Sequence, residues 1–449
     1  MSAPVGPDEI RRAADAALEL PGVDDVEVVV MHEWGGLTRF AKSQIHQSTS
    51  REDTDVRVRV ASKGRVGVAS TNVLSPDGAA RAARSAKEMV KVVGPDPWWP
   101  GLAPRVEIPN VDRFHGSTAN STPEERAKAV ADLIGQCAPG FTAAGAFETQ
   151  AMEIAIANTE GQFCWEPITQ ASMTTVISGG ESGSGFAETF SGDVDDIDPS
   201  AIGALANDKA VRSQRPVALD PGTYTTVLEP AATSTLVGFL AWVGFGGRDY
   251  LEGRSCFSGK KDQQVAVPAV SITDDALDPQ TIGAPFDFEG VPRQRVELIR
   301  DGVFLDAVYD RRTGKEAGRD STGHALPSPN PDGPFPLNMS MAPGAATLEQ
   351  MVAATERGLL VTRFHYSNIV NPVESSITGM TRDGTFLIEN GEVAGPVMNF
   401  RFTQSILGAL SSVSMIGSRT ELASEFFFSA SRVPALKVDS FHFSSRSDH

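Results

Sequence analysis

Apolar residues change their period along the chain, and the changes mark its elements. Over residues 7–20 they recur at helical spacing. Pro7 suits a first turn, Asp8 and Glu9 complement the positive end of the helix dipole, and Pro21-Gly22 stops it. The period then becomes two. Val26, Val28 and Val30, and after them Val56, Val58 and Val60 alternating with Asp55, Arg57 and Arg59, predict an antiparallel meander that continues past Lys63-Gly64 into Arg65–Ser70. One face of that meander, the one bearing Arg57, Arg59 and Arg65, is expected to be wet.

A helix over 76–91 follows, with Ala79, Ala82, Ala83, Ala86 and Val90 on one side. Pro95, Pro97, Pro100 and Pro104 then exclude regular helix and central strand, so this stretch is a connector, and Trp98 and Trp99 pack it down rather than form a ligand platform. Thr122-Pro123-Glu124-Glu125 opens a further helix bearing Ala127, Val130, Ile134 and Cys137. Strands are expected at 141–148, 151–158 and 170–178, a flexible Gly/Ser-rich surface loop over Ser178–Gly185, and a helix from Pro199 to about 213.

From 216 onward strands, Gly/Pro turns and long loops dominate, with one apolar helix over Ala231–Val243 and a Pro/Ser/Gly-rich loop over 321–337. Strands are predicted at 358–366, 384–389 and 396–403, with Asn390-Gly391 as a hairpin turn. The fold class is therefore α+β. It divides into an N-terminal α/β domain (1–104), a middle α+β region (105–215) and a β-rich C-terminal domain (216–449).

Composition narrows the function. The 449 residues are enough for two or three domains, and 39 basic against 57 acidic residues give a net charge of −18, which opposes binding to nucleic acid. No apolar run is long enough to span a membrane, and the chain opens on a polar helix rather than a secretory signal, so a cytoplasmic location is expected. Cys137, Cys164 and Cys256 are far apart in sequence and read as small hydrophobes, not as a disulfide framework or a thiolate cage.

Catalytic patterns are missing. There is no G-x-S-x-G elbow and no H-E-x-x-H helix, and the seven histidines are scattered singly. His32-Glu33 runs into Trp34-Gly35-Gly36, so His32 is expected to pack at a strand end. Asp274, Asp275 and Asp278 sit in a turn-like stretch that lacks the pattern of a calcium loop.

Longer segments carry more. The run from Glu356-Arg357-Gly358-Leu359 to His365-Tyr366-Ser367-Asn368, then Thr378-Gly379-Met380-Thr381-Arg382-Asp383-Gly384, with Met341-Ala342-Pro343-Gly344 upstream and Val433-Pro434-Ala435-Leu436-Lys437-Val438 near the end, resembles the TldD/PmbA family. In that family's TldD branch a segment beginning like Val227-Leu228-Glu229-Pro230 continues into His-Glu-x-x-x-His. Its two histidines join a later cysteine in holding zinc, and the glutamate serves as base. The resemblance places Gly238, Val243 and Ile416 at the ligand positions and Phe239 at the base position, groups that neither bind a metal nor move a proton.

It therefore implies the metal-free PmbA/TldE branch: a non-catalytic subunit that pairs with a TldD-like zinc-bearing subunit. This chain would hold no cofactor of its own. Unfolded or modified peptides are the implied substrates, including precursors of peptide-like natural products. Two other readings stand beside it: a stand-alone peptide-binding or scaffold protein using an exposed strand edge, and an enzyme whose metal is held by residues such as His324 and His365. His365 reads first as a half-buried strand histidine. If its face lines a cavity, Arg363 and His365 are the candidate contacts to a peptide carboxylate or carbonyl.

Overall fold

The structure, a computed structural model, describes residues 4–426 and 429–447. Its N-terminal half is built on six antiparallel strands: β1 (Asp25–Ala41), β2 (Gln44–Ser62), β3 (Arg65–Thr71), β4 (Phe141–Asn158), β5 (Phe163–Gly179) and β6 (Gly183–Ser191), in the order β3-β2-β1-β4-β5-β6. Residues 1–104 and 105–215 thus supply three strands each to one sheet. They meet where β1 pairs with β4, from Glu27 opposite Asn158 to Phe40 opposite Gly145.

The alternation of valines sets which face is covered. Val26, Val28, Val30, Val56, Val58 and Val60 point at the helices Pro7–Leu18 and Pro76–Val90, which return Ile10, Ala14, Ala17, Ala79, Ala82, Ala83 and Ala86. The other half of the same face is covered by Pro123–Ile134 and Pro199–Arg212. Thr122 caps the first of these in a reciprocal capping box with Glu125.

Several expectations need correction here. The strands expected at 141–148 and 151–158 are one, because Thr149-Gln150 continue the ladder without a bulge. Ser178–Gly185 is no flexible loop but the tight end of the β5–β6 hairpin. A Cβ on Gly185 would lie 2.1 Å from the carbonyl of Ala206, so its glycines let the helix Pro199–Arg212 lie directly on the strand. His32 sits within β1 rather than at its end; it is buried and its Nδ1 is 2.9 Å from Thr54 Oγ1. The second face of the sheet is also not wet throughout, because the C-terminal half covers Val29, Ile154 and Ile156 with Ala284 and Phe286.

The C-terminal half holds β7 (Gly222–Leu228), β8 (Ile272–Asp274), β9 (Val296–Arg300), β10 (Val303–Phe304), β11 (Met339–Met341), β12 (Arg357–Asn371), β13 (Ser376–Glu389), β14 (Glu392–Pro396), β15 (Phe400–Ser405), β16 (Val413–Phe426) and β17 (Ser429–Arg446). The ladder β7-β12-β13-β15-β17 closes on itself because β17 also pairs with β7. Phe364, Phe400, Phe402, Phe441 and Phe443 come from three of these strands and pack ring against ring. Asn390 and Gly391, both at positive φ, form the predicted turn between β13 and β14.

Candidate functional site

The helix predicted over Ala231–Val243 runs from Pro230 to Gly244. Pro230 fits its first turn, and Leu236, Phe239, Leu240 and Val243 are all at most 3% exposed, packed towards β12, β16 and β17. Only a narrow stripe looks outward: Gly238 is half-buried and Trp242, one turn on, is 54% exposed. Gly238 and Val243 are five residues apart, about 140° around a helix, so they do not share a face. Ile416, on β16, is buried beside Gly344. The amide of Gly344 donates to the carbonyl of Gly417 at 2.8 Å, and that of Ala346 to the carbonyl of Ile416 at 3.2 Å.

These side chains do not fit zinc. Gly238, Val243 and Ile416 have no donor atom, Phe239 has no group that takes a proton, and among the described residues no three His, Cys, Asp or Glu stand where they could hold a metal ion. Nor does His324 offer a ligand. It is fully buried, with Nε2 2.9 Å from Asp274 Oδ1 and Nδ1 2.9 Å from both the hydroxyl and the carbonyl of Thr322. Burial holds its pKa below the ordinary value despite Asp274. Asp274 is therefore not part of a surface turn; it ends β8, fully buried, and accepts from the amide of Asn338 at 2.7 Å.

The beginning of the helix is joined to the N-terminal half by a pair that sequence reading missed. Lys209, on the helix Pro199–Arg212, reaches Glu229, the residue just before Pro230, with both side chains nearly buried. The available signal was a lysine falling on the same face as Ala206 and Ala210.

Arg363 and His365 lie on β12, beside a second interdomain contact. Arg363 donates through Nε to Asp383 at 2.8 Å and also through Nη2, and its guanidinium stacks 4.1 Å from the ring of Phe186 on β6. Asp383 also accepts from Ser184 of β6, so Arg363 sits in a clamp between the two halves. His365 is half-buried, and burial first, then Arg363 and Arg382, hold its pKa below the ordinary histidine value. Tyr366, at a positive φ of 53°, turns its ring outward to 73% exposure and meets His365 edge-on.

A groove of about 560 Å³ opens on the solvent face of β8, β9 and β11. Its floor includes Thr273 and Ser340, and its charged rim is internally paired: Arg432 with Asp278 at 3.0 Å, Arg300 with Glu297 at 2.8 Å. Through Ala342 and Pro343 it borders the strand that carries Ile416.

This arrangement of two sheets and one buried helix is the architecture of the PmbA/TldA metallopeptidases. Family models match in chain order: metallopeptidase domain 1 over residues 26–90, the central domain over 119–214 and the C-terminal domain over 221–445. The chain belongs to the PmbA/TldD family. The metalloprotease PmbA of Escherichia coli O157:H7 is 24% identical over 448 residues, 96% of each chain. A metalloprotease TldD homolog of Haemophilus influenzae is 24% identical over 288 residues, 60% of this chain and 59% of its own. Among solved structures, TldE of Thermococcus kodakarensis superposes with a TM-score of 0.86 at 20% identity, covering 97% of this chain and 99% of that one. A Thermotoga maritima protein gives the same TM-score at 19% identity, with 97% and 100% covered.

Proposed function

We propose that this chain is the metal-free, TldE-like subunit of a two-subunit zinc peptidase acting on unfolded or modified peptides. One observation carries the reading. On the resemblance to the family's TldD branch, Gly238, Phe239 and Val243 of the helix Pro230–Gly244 stand for two ligands and a base, and none of them has a side-chain group that binds a metal or takes a proton. Without a metal and a base this chain cannot activate a water molecule, so cleavage falls to a TldD-like partner that brings zinc. This subunit supplies shape: strands and an apolar helix that hold an extended peptide through main-chain hydrogen bonds while the partner's metal acts. The likeness on which the reading draws extends over 96% of the PmbA relative and 99% of the TldE structure.

The test measures metal content and peptidase activity for this chain, for a TldD-like partner from the same cell, and for their mixture. The expected result is zinc in the partner alone and turnover in the mixture alone. Stoichiometric zinc with turnover in this chain by itself refutes the proposal. Full activity of the partner without it favours an independent peptide-binding protein.

A further inference from the structure

The outer face of β12, β13 and β15 gathers cations and lacks the carboxylates to pair with them. His365 lies opposite Met380, and Met380 opposite Arg401, so these residues form a row across the three strands; Arg382 follows Met380 along the same face of β13. Phe364 and Phe402 belong to the other face and are buried. At the usual strand spacing, His365 and Arg401 stand about 10 Å apart on either side of Met380. Met380, 8% exposed, is the floor between them, and Ser447 closes one side with its Oγ 3.9 Å from the sulfur.

Arg363 shares this face, but its guanidinium is committed to Asp383 and Phe186. Arg382 and Arg401 have no such partners. Arg382 is half-buried and Arg401 exposed, and among the described residues neither guanidinium meets a hydrogen-bond acceptor, a carboxylate or a ring. The chain around them supplies no counter-ion: residues 357–373 and 393–420 contain no Asp or Glu, although the whole has 57. Of the acids in between, Asp383 is taken by Arg363 and Ser184, Glu374 lies in the hairpin turn beyond β12, and Glu389 and Glu392 stand at the opposite end of β13. In a protein of net charge −18, two uncompensated guanidinium groups over one floor make a local point of attraction for an anion.

An apolar surface borders these cations. β12 bulges between His365 and Asn368, and the bulge holds Tyr366 at positive φ, a conformation that a bulky residue adopts only where its surroundings impose it. The result is an exposed ring set edge-on to His365.

We propose that this face binds the C-terminal carboxylate of a peptide. Arg382 and Arg401 take the carboxylate above Met380, a ring N–H of His365 donates to it, and the terminal side chain lies on Tyr366. Phosphate would meet the same guanidinium groups, but it has no apolar part for Tyr366 to cover. The proposal rests on the reading of the chain as a subunit that holds peptides. It is tested without zinc or a partner, so its failure leaves the zinc and turnover test above unaffected.

The experiment is a calorimetric titration of the full chain alone at low ionic strength, with three ligands: an acetylated hexapeptide ending in Ala-Ala-Phe, its C-terminal amide and inorganic phosphate. The free acid should bind at least about tenfold more tightly than the amide, as charge-assisted hydrogen bonds warrant, and more tightly than phosphate. In Arg382→Gln/Arg401→Gln the acid should fall to the level of the amide, with the melting temperature unchanged, because neither side chain has a partner to lose. Arg401→Gln alone, at an exposed position, should already lose most of the preference, and it carries the test if the double variant folds poorly. Equal binding of acid and amide, no binding of either, or a preference that survives both variants overturns the proposal. So does phosphate binding more tightly than the acid.

Discussion

Glu166 shows how a single side chain records the meeting of the two halves. It lies on β5 opposite Ile154, 9% exposed, with no hydrogen bond or ion pair among the described residues. Its neighbour Arg113 is committed to the carbonyls of Ala276 and Asp278. Burial, opposed by Arg113 and aided by Asp112, raises the Glu166 pKa from 4.5 to about 7. A carboxyl that holds its proton more tightly folded than unfolded adds stability as pH falls from above 7 towards 4.5, and that contribution is lost as pH rises through about 7. Glu166→Gln should therefore remove part of the rise in melting temperature between pH 8 and pH 5, a difference on the order of a few degrees by calorimetry. Leu240→Asp is the harsher case: a charge placed at a fully buried position should destabilise the fold by about 3–5 kcal/mol in urea titrations. Leu240 was legible from the sequence because helical spacing marks core. Glu166 was not, since the charged groups that act on it, Arg113 and Asp112, lie more than fifty positions away along the chain.

Element boundaries followed from local chemistry where caps and prolines wrote them, as at Pro7, Pro76, Thr122-Pro123 and Pro199, and were missed where tertiary contact overrode composition. Ser178–Gly185 is the clearest instance. A Gly/Ser-rich stretch signals flexibility when nothing packs on it, yet here Gly183 and Gly185 let a helix lie against the strand. Gly185→Ala sets a Cβ 2.1 Å from the Ala206 carbonyl and 2.5 Å from the Ala210 amide, both main-chain atoms that cannot swing aside. The helix Pro199–Arg212 must then shift as a unit, taking Lys209 away from Glu229. The expected cost is about 1–3 kcal/mol. Faster hydrogen exchange over 199–212 would accompany it, while the amides of Pro7–Leu18 should exchange unchanged. The helix Pro230–Gly244 was read correctly, and helical spacing already sets Phe239 with Val243 and Gly238 with Trp242, but that the second pair looks outward emerges only from its packing.

At the scale of the whole molecule the two sheets are held by charge as well as by apolar contact. Arg59 of β2 lies between Glu27 of β1, at 2.8 Å, and Glu289 of the C-terminal half, at 3.2 Å, with all three side chains largely buried. The ring of Trp99 stacks 5.1 Å from the guanidinium, and its indole nitrogen donates to Asp25, which is how the Pro-rich connector is packed down. The alternation Val56, Arg57, Val58, Arg59 told correctly that these arginines oppose the valine face. It could not tell that a segment some 230 residues later covers Arg59. Burial raises the Glu27 pKa despite the attraction of Arg59, so this carboxylate depends on its partner to stay ionised. Arg59→Met keeps the length and apolar stem of the side chain and removes the charge, leaving Glu27 and Glu289 buried face to face. That should cost about 3–5 kcal/mol at neutral pH, because breaking a buried pair from one side leaves an uncompensated charge. Adding Glu27→Gln and Glu289→Gln should restore much of the loss, since no buried charge of the triad is then left unpaired. Urea titrations of the single and triple variants decide between a buried ion triad and ring stacking: if the triple variant is as unstable as Arg59→Met, the stacking of the guanidinium on Trp99, which methionine also removes, holds the two halves together instead.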